Sequence, residues 1–329
     1  MKNTAIIISS PTYSVKLLKK VLNELNTEQS FAFNFDILLN PDAETIKKYA
    51  QNSLCIFFVQ THNPSFSANT IQQMLMPYKK QGHQIILLAN AMEDYLDLAI
   101  YYKVGNILFE NEFDTPMVRA LLQRLLGEDF FGHEPFFVEP YAVYEQQVVL
   151  AGAVNRSGLI DRLFPDYLKL LKDTPVRHRF HAHISELLTN AIAYGVLGIS
   201  PEERDSNNFF MPKVVNIPTG KEIKVHILQD HEKYGISVKD RMGRLTLLRV
   251  LQKLRRHTKL PGQDAPDGIE DLTGRGLYIV SRQNRLIINI LTDIQTEIIL
   301  LSYFAEEKNR YKSLIVNEKI FASDENLKL

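Results

Sequence analysis

The first half of the chain alternates short apolar runs with longer amphipathic segments. The apolar runs lie at residues 4–9, 31–39, 54–60, 83–89 and 106–110. Strands that are buried on both faces have continuous apolar sequences, and helical connections between strands force parallel pairing. The pattern therefore predicts a doubly wound, five-stranded parallel sheet, an α/β domain, over residues 1–127. Its last helix is expected to start with Thr115 as cap and Pro116 in the first turn, and to stop at Gly127.

The hydrophobic period changes in the second half. Helices are predicted at about residues 155–172, around 183–195, at about 244–256 and from Gly274. Strands with alternating or continuous apolar positions are predicted at residues 222–229, 234–240, 285–291 and 295–304. The first two of these strands are joined by a short polar turn, which is typical of an antiparallel pair. Helices on one face of such a sheet predict an α/β sandwich of the α+β class.

These patterns divide the chain into four segments. They are a first domain (residues 1–127), a connector rich in aromatic residues (128–150), a second domain (151–305) and a charged C-terminal tail (306–329). Within the second domain, residues 199–219 form a polar, turn-rich insertion.

Composition and charge exclude several classes of protein. The 329 residues are 45% hydrophobic and 23% charged, which is typical of a folded globular protein. Basic and acidic residues number 38 each, so no global charge favours nucleic acid or an anionic membrane. The single cysteine, Cys55, lies in an apolar run, which excludes a disulfide framework and a cysteine zinc site and indicates a core thiol. With no signal sequence and no membrane span recognised, a cytoplasmic location is expected.

Candidate chemistry begins with two polar residues on the helix around 183–195. Glu186 and Asn190 are four residues apart, so they lie one turn apart, away from the apolar stripe. Taken alone, such a pair is most often a solvated helix face. Further along, Asp240 ends an apolar strand and is followed by Gly243 in a turn.

The remaining candidate residues lie in the C-terminal third of the chain. Gly274 and Gly276 precede an apolar helix, where free backbone N–H groups and the helix dipole favour phosphate. Thr296 lies on the final predicted strand. Each motif is weak alone, but the complete order of motifs is much more specific.

This set resembles the GHKL, or Bergerat-fold, histidine-kinase-like ATPases, and within them the anti-sigma factor/serine kinase branch, over about residues 150–302. The resemblance implies ATP and Mg²⁺ as cofactors, with the amide oxygen of Asn190 binding the metal ion and Glu186 acting as general base. It also implies that Asp240 accepts a hydrogen bond from the adenine amino group. An ionised carboxylate can accept hydrogen bonds but cannot donate them, so Asp240 would distinguish adenine from guanine.

The same resemblance assigns the remaining site residues. It places Gly274, Arg275 and Gly276 in the loop that closes over the phosphates, and it places Thr296 beside the adenine site. Residues 257–273 would form the ATP lid.

Two features bear on how closely the chain follows this family. The family's Asp-x-Gly-x-Gly turn is here residues 240–244, with Gly243 as its one glycine, shifted by one place. His181 and His183 precede Glu186 and Asn190 on the same helix, and we interpret them as capping or packing residues rather than phosphoacceptors.

The first half resembles a response-regulator receiver domain in the order and length of its elements. Receivers phosphorylate an aspartate at the end of the third strand, with acidic Mg²⁺ ligands after the first strand and a lysine after the fifth. Here Ser9 and Ser10, Gln60 and Thr61, and residues 110–112 (Glu-Asn-Glu) stand at those places. Serine and glutamine cannot form an acyl phosphate, so a pseudo-receiver used for contact or dimerisation is expected. An active receiver and a flavodoxin-like domain unrelated to signalling are the alternatives.

Together these resemblances predict a signal-transduction regulator that phosphorylates a serine or threonine of a protein partner, an anti-anti-sigma-like antagonist, under control of the receiver-like domain. A histidine autokinase is not expected, because residues 128–172 offer one helix and no phosphoacceptor histidine on it. The alternative is a non-catalytic partner-switching module that holds a sigma factor or similar protein and has a degenerate nucleotide site. A homodimer is compatible with both, and neither nucleic acid nor a membrane is expected as a direct partner.

Overall fold

The computed structural model describes residues 3–10, 12–28, 34–61, 75–92, 95–127, 130–137, 143–200, 203, 211–259, 262–268, 275–305, 308 and 312–320. Its strands are β1 Asn3–Ile8, β2 Phe35–Leu39, β3 Leu54–Gln60, β4 Gln84–Ala89, β5 Asn106–Phe109, β6 Tyr144–Leu150, β7 Gly152–Asn155, β8 Val214–Ile217, β9 Ile223–Gln229, β10 Lys233–Asp240, β11 Arg285–Leu291, β12 Gln295–Tyr303 and β13 Leu314–Lys319. Its helices include α1 Tyr13–Thr27, α2 Ala43–Asn52, α3 Leu96–Tyr102, α4 Thr115–Leu126, α5 Leu159–Leu163, α6 Pro165–Leu170, α7 Thr174–Asn190, α8 Leu247–His257 and α9 Arg275–Gln283.

The first five strands form the predicted parallel sheet, in the order β2-β1-β3-β4-β5. Its central strands are buried on both faces, as their continuous apolar sequences require. Residues of α1 and α4 pack on one face, and residues of α2 and α3 pack on the other. The predicted α/β class with a doubly wound parallel sheet is therefore confirmed for this half, and Cys55 is fully buried as expected.

The second half contains a predominantly antiparallel sheet in the order β11-β12-β10-β9-β6. The strand pair β9 and β10 is antiparallel, as the alternation predicted. Apolar residues of α7, α8 and α9 pack on one face of this sheet, against alternate residues of β10 and β12. A mixed sheet covered by helices is thus present, and α7, α8 and α9 form the layer that carries the candidate site.

Strand β13 joins the two halves into one sheet. It pairs in parallel with β11 and, through Leu314 and Ile315, antiparallel with β5. Within the described residues the sheet therefore has eleven strands in the order β2-β1-β3-β4-β5-β13-β11-β12-β10-β9-β6. The prediction of a charged tail from residue 306 was wrong for residues 314–319, whose first four residues are buried. Residues 321–329 of that tail lie outside the described residues.

Four further expectations are corrected. Part of the predicted connector, Tyr144–Leu150, is β6, which pairs with β9 at the sheet edge. The helix expected at 155–172 is divided into α5 and α6, because Pro165 has no N–H to continue the helix. Residue 155, where that helix was expected to begin, ends β7, and β7 pairs with β8, residues 214–217 of the predicted insertion, in a small sheet. The cap of α4 is Asp114, whose carboxylate accepts from Met117 N, and not Thr115.

A buried ion cluster lies beside β13, where the halves meet. The Glu112 carboxylate lies 3.2 Å from the Arg285 guanidinium and 2.7 Å from the Lys312 ammonium, and it accepts a hydrogen bond from the Ser313 backbone N–H. Asp114 lies 3.1 Å from Arg285. Burial opposes ionisation of Glu112, but the two cations more than offset it, so the pKa of Glu112 is lowered. The cluster ties the end of the first half to β11 and to the segment before β13.

No helix of the described residues combines the length and the apolar character that a bilayer crossing requires.

Replacing Glu112 with glutamine should destabilise the whole chain. Glu112→Gln leaves the buried charge of Lys312 without its carboxylate and weakens the pairing of Arg285, a change that typically costs about 3–5 kcal/mol. Urea denaturation followed by circular dichroism measures the loss. The control is Asp166→Asn, which removes an exposed partner of Lys169 and should leave the midpoint unchanged. Equal midpoints for the two variants would contradict a structural role for the cluster.

Candidate functional site

The predicted pair on α7 is in contact. The Asn190 side-chain nitrogen donates to the Glu186 carboxylate at 2.9 Å. Helix α7 is held in place by its buried stripe, which includes Phe180, Ile184 and Leu187, and it begins at the Asp173 cap. Asn190 is 8% exposed and Glu186 is half-buried, so the pair lies at the wall of a cleft and not on an open surface.

Beyond Asn190 the helix widens into a π-helical turn, Ala191–Val196. Gly195 in this turn faces Asp240: a Cβ at Gly195 would lie 2.6 Å from the Asp240 Cβ. Only glycine therefore allows this approach. π-Helical turns within helices occur frequently at functional sites.

Asp240 ends β10 and is paired in register with Thr296 of β12. Both side chains are buried. Burial raises the pKa of Asp240 to about 6, although backbone N–H groups of Met242, Gly243 and Thr296 oppose the shift. Met242 N donates to the Asp240 carboxylate at 3.0 Å. A buried carboxylate that titrates near neutral pH is a candidate for ligand recognition.

Gly243 fixes the turn that follows β10. Its φ is 57°, and its carbonyl accepts from Asp293 N at 3.2 Å in the turn between β11 and β12. A Cβ at Gly243 would overlap the Leu291 carbonyl oxygen and lie 2.6 Å from Ile294 N. This glycine is required by both backbone conformation and space.

The N-terminal end of α9 reaches the pair on α7. A Cβ at Gly276 would overlap the Glu186 carboxylate, so the helix backbone lies directly against that group. A carboxylate at this end is favoured by the helix dipole and by unpaired backbone N–H groups. Arg275 is the exposed first residue of α9, and Gly274 lies outside the described residues.

A cleft of about 270 Å³ opens between α7, α8 and the turn after β10. It is lined by Glu186, Asn190, Tyr194, Ile199, Ser200, Gly243, Arg244, Leu245, Thr246, Arg249, Lys253, Leu277, Thr292, Asp293 and Ile298. The basic residues on its wall were not identified from the sequence. The sequence contained a signal for two of them, because Arg249 and Lys253 are four residues apart and thus share one face of α8.

The predicted residues divide between this cleft and a smaller cavity beside it. Glu186, Asn190 and Gly243 line the cleft. Asp240 and Thr296 line the smaller cavity, about 20 Å³, together with Asn190. Asn190 therefore borders both spaces. The predicted lid, residues 257–273, is described only at 257–259 and 262–268.

The two histidines of α7 have structural contacts. His183 is buried, with its Nδ1 3.1 Å from the Tyr234 hydroxyl and its Nε2 3.1 Å from the Asn284 side-chain nitrogen. Burial lowers the pKa of His183 to about 4, so the ring is neutral. His181 lies 3.1 Å from Asp161 at the surface. The interpretation of His183 as a packing residue is confirmed.

A closed hydrogen-bond network occupies the ends of β1, β3 and β5. The Gln60 amide oxygen accepts from the Ser9 hydroxyl at 2.9 Å and from Ser10 N at 3.1 Å, and its nitrogen donates to Glu110 at 2.6 Å. The Ser14 hydroxyl also donates to Glu110. Gln60 is 1% exposed, so these polar groups satisfy one another at the strand ends.

Adding a methyl group at Gly243 should separate the cost of a positive φ from the cost of overlap. Gly243→Ala is expected to lower the free energy of unfolding by clearly more than the roughly 1–2 kcal/mol cost of a left-handed non-glycine residue. The matched control is Gly220→Ala, since Gly220 has φ 87° and open space around it. Urea denaturation compares them, and equal losses would show that the β11–β12 turn does not press on Gly243.

Comparison with protein-family models and with curated proteins gave no match to this chain.

Proposed function

We propose that the protein binds Mg·ATP in the cleft beside α7 and acts as a GHKL-type signalling regulator. Its activity would be phosphoryl transfer to a serine or threonine of a protein partner, an anti-anti-sigma-like antagonist. One observation carries the proposal: Glu186, Asn190 and the N-terminal end of α9 converge beside a cleft, with Asp240 buried next to it.

The donor atoms at this point suit a hard cation. Mg²⁺ prefers oxygen ligands, and Asn190 uses its nitrogen to bond Glu186, so its amide oxygen is the atom that would bind the metal ion. When bound, Mg²⁺ neutralises phosphate charge as it develops. The N–H groups at the start of α9 and the basic residues of α8 would stabilise the same charge.

Glu186 has the position of a general base. Its carboxylate is held by Asn190 and faces the α9 N-terminus, where phosphate would bind. In the proposed reaction the γ-phosphoryl group of ATP would pass to the partner's hydroxyl oxygen and ADP would leave. Glu186 would take the hydroxyl proton, and Asn190 would hold the metal ion. Asp240, Gly243 and Thr296 would form the adenine end, with the Asp240 carboxylate accepting from the adenine amino group. Arg275 and Gly274 would complete the phosphate loop.

The first half supports a regulatory role without its own phosphorylation. The strand order β2-β1-β3-β4-β5 is that of doubly wound domains such as receivers and flavodoxins. Gln60 and Glu110 bond each other where a receiver has its aspartate and lysine. Helix α3 contacts α8, and Asp97 lies 2.8 Å from Arg255, so this half touches the helix that lines the cleft.

One observation favours the alternative, a non-catalytic partner-switching module that binds a sigma factor or similar protein. The cavity at Asp240 has about 20 Å³, room for little more than one water molecule. An adenine ring would require side chains such as Tyr194 or Leu245 to move. Nucleotide binding and turnover decide between the two functions.

Mg·ATP should raise the melting temperature of the wild-type chain. A ligand at 100 times its Kd adds about 2.7 kcal/mol to the stability of the native state. Asn190→Ala should abolish the shift because it removes the metal ligand, and Asn23→Ala, at an exposed position of α1, should keep it. The measurement is differential scanning fluorimetry with millimolar Mg·ATP.

The Glu186→Gln variant distinguishes nucleotide binding from phosphoryl transfer. It should retain the thermal shift and lack transfer of labelled phosphate from ATP to candidate partners. Absence of any shift in the wild type would overturn nucleotide binding, whereas a shift without turnover in the wild type would favour the non-catalytic module.

ATP affinity should fall as the pH falls through about 6, the pKa of Asp240. The protonated carboxyl loses the charge that favours accepting a hydrogen bond from the adenine amino group, so affinity for ATP should decrease below that pH, by at most about tenfold per pH unit. Isothermal titration calorimetry at several pH values, with Asp240→Asn as control, isolates this effect from titration of the phosphates. Parallel pH profiles for the two proteins would exclude Asp240 as the titrating group.

A further inference from the structure

A second cluster of titratable side chains lies on the opposite face of the sheet from the cleft. In β9, Val225 and Ile227 pack in the cluster that includes α7, so His226 points to the other face, as Leu228 does. Residues 130–137 cross this face. His133 lies against His226 with ring centroids 4.5 Å apart, and it also contacts Gly235 of β10.

Three side chains of this cluster converge in the manner of metal ligands. One ligand atom each from His133, Glu134 and His226 lies within 4.8 Å of the others. Glu134 Oε1 is 3.4 Å from His226 Nδ1. Ligands bound to zinc at about 2.0–2.1 Å in a tetrahedron are separated by about 3.3–3.4 Å, so this pair already has the required spacing.

His133 provides an independent observation. Its side chain is fully buried, and neither ring nitrogen has a hydrogen-bond partner among the described residues. Buried polar atoms without a partner are rare in folded proteins because they have lost water and gained nothing in return. A metal ion bound to one ring nitrogen would supply the partner that these atoms lack.

His226 has the orientation of a ligand with an outer partner. Its Nδ1 faces Glu134, and its Nε2 lies 3.0 Å from Glu145 of β6. Histidine ligands commonly donate their second ring N–H to a carboxylate, which fixes the tautomer and the ring orientation. Glu145 would have this role.

We propose that His133, Glu134 and His226 bind a zinc ion, with Glu145 orienting His226. Two imidazole nitrogens and one carboxylate oxygen are a ligand set typical of zinc, with a fourth position left for water or a further group. The Glu134 side chain is 56% exposed and gives the ion access from solvent. The site is separate from the ATP cleft and does not depend on it.

The position of the ion gives it a structural function. His133 and Glu134 belong to the segment between the two halves, and His226 belongs to the second sheet. An ion held by all three fixes this segment on the sheet and links it, through Glu145, to the edge strand β6. Because the complete ligand set exists only in the folded chain, zinc binding would stabilise the native state.

The test uses the full chain without a histidine tag, stripped of metal with a chelator. Calorimetric titration with Zn²⁺ should give about one ion per chain, and Zn²⁺ should raise the melting temperature. Glu134→Gln changes a half-exposed side chain and should fold normally, yet it should weaken zinc affinity at least tenfold. His226→Gln should abolish binding, and Glu145→Gln should weaken affinity about 10–100-fold, as loss of outer partners does.

The matched control is His181→Gln, which removes an exposed histidine that also has a carboxylate partner. It should bind Zn²⁺ as the wild type does. The proposal is overturned if the wild type binds no Zn²⁺, or if Glu134→Gln and His226→Gln bind it as the wild type does. The first result would leave His226 as a cation paired with Glu134 and Glu145, and the second would assign the zinc to other surface residues.

Discussion

The structure depends on how the two halves share one sheet. Strand β13 supplies the backbone bonds, pairing with β5 on one side and β11 on the other. Beside it, Glu112 has lost its water and is compensated by Arg285 and Lys312. A buried charge without its partner is costly, so the cluster favours the single arrangement in which all three groups meet. The hydrogen-bonded strand and the ion cluster together hold the halves in register.

This shared sheet determines where the cleft and the histidine cluster lie. Helices α7, α8 and α9 cover one face and form the cleft, while residues 130–137 cover the other face near His226. Helix α3 of the first half contacts α8 directly. A shift of α3 would therefore press directly on α8, which lines the cleft, and packed helices move past each other by small shifts.

Local patterns predicted most elements, but they missed two strands of the sheet. Apolar runs identified β1 to β5 and β9 to β12, and the four-residue spacing of Glu186 and Asn190 predicted their contact. Strand β6 was missed because its exposed, polar alternation resembles a connector, and β13 because six residues in a charged segment give a weak signal. The approach of Gly276 to Glu186 and of His133 to His226 joins residues about 90 apart in sequence, which no local period reveals.

The position of β13 in the sequence has a consequence for biosynthesis. Both strands that it pairs with are made earlier, so any part of the two sheets that folds during translation does so without the strand that bridges them. Until residues 312–319 emerge from the ribosome, β5 and β11 are open edges, and open edges are the places where chains associate wrongly. Because β13 pairs with both strands, its docking covers both edges at once.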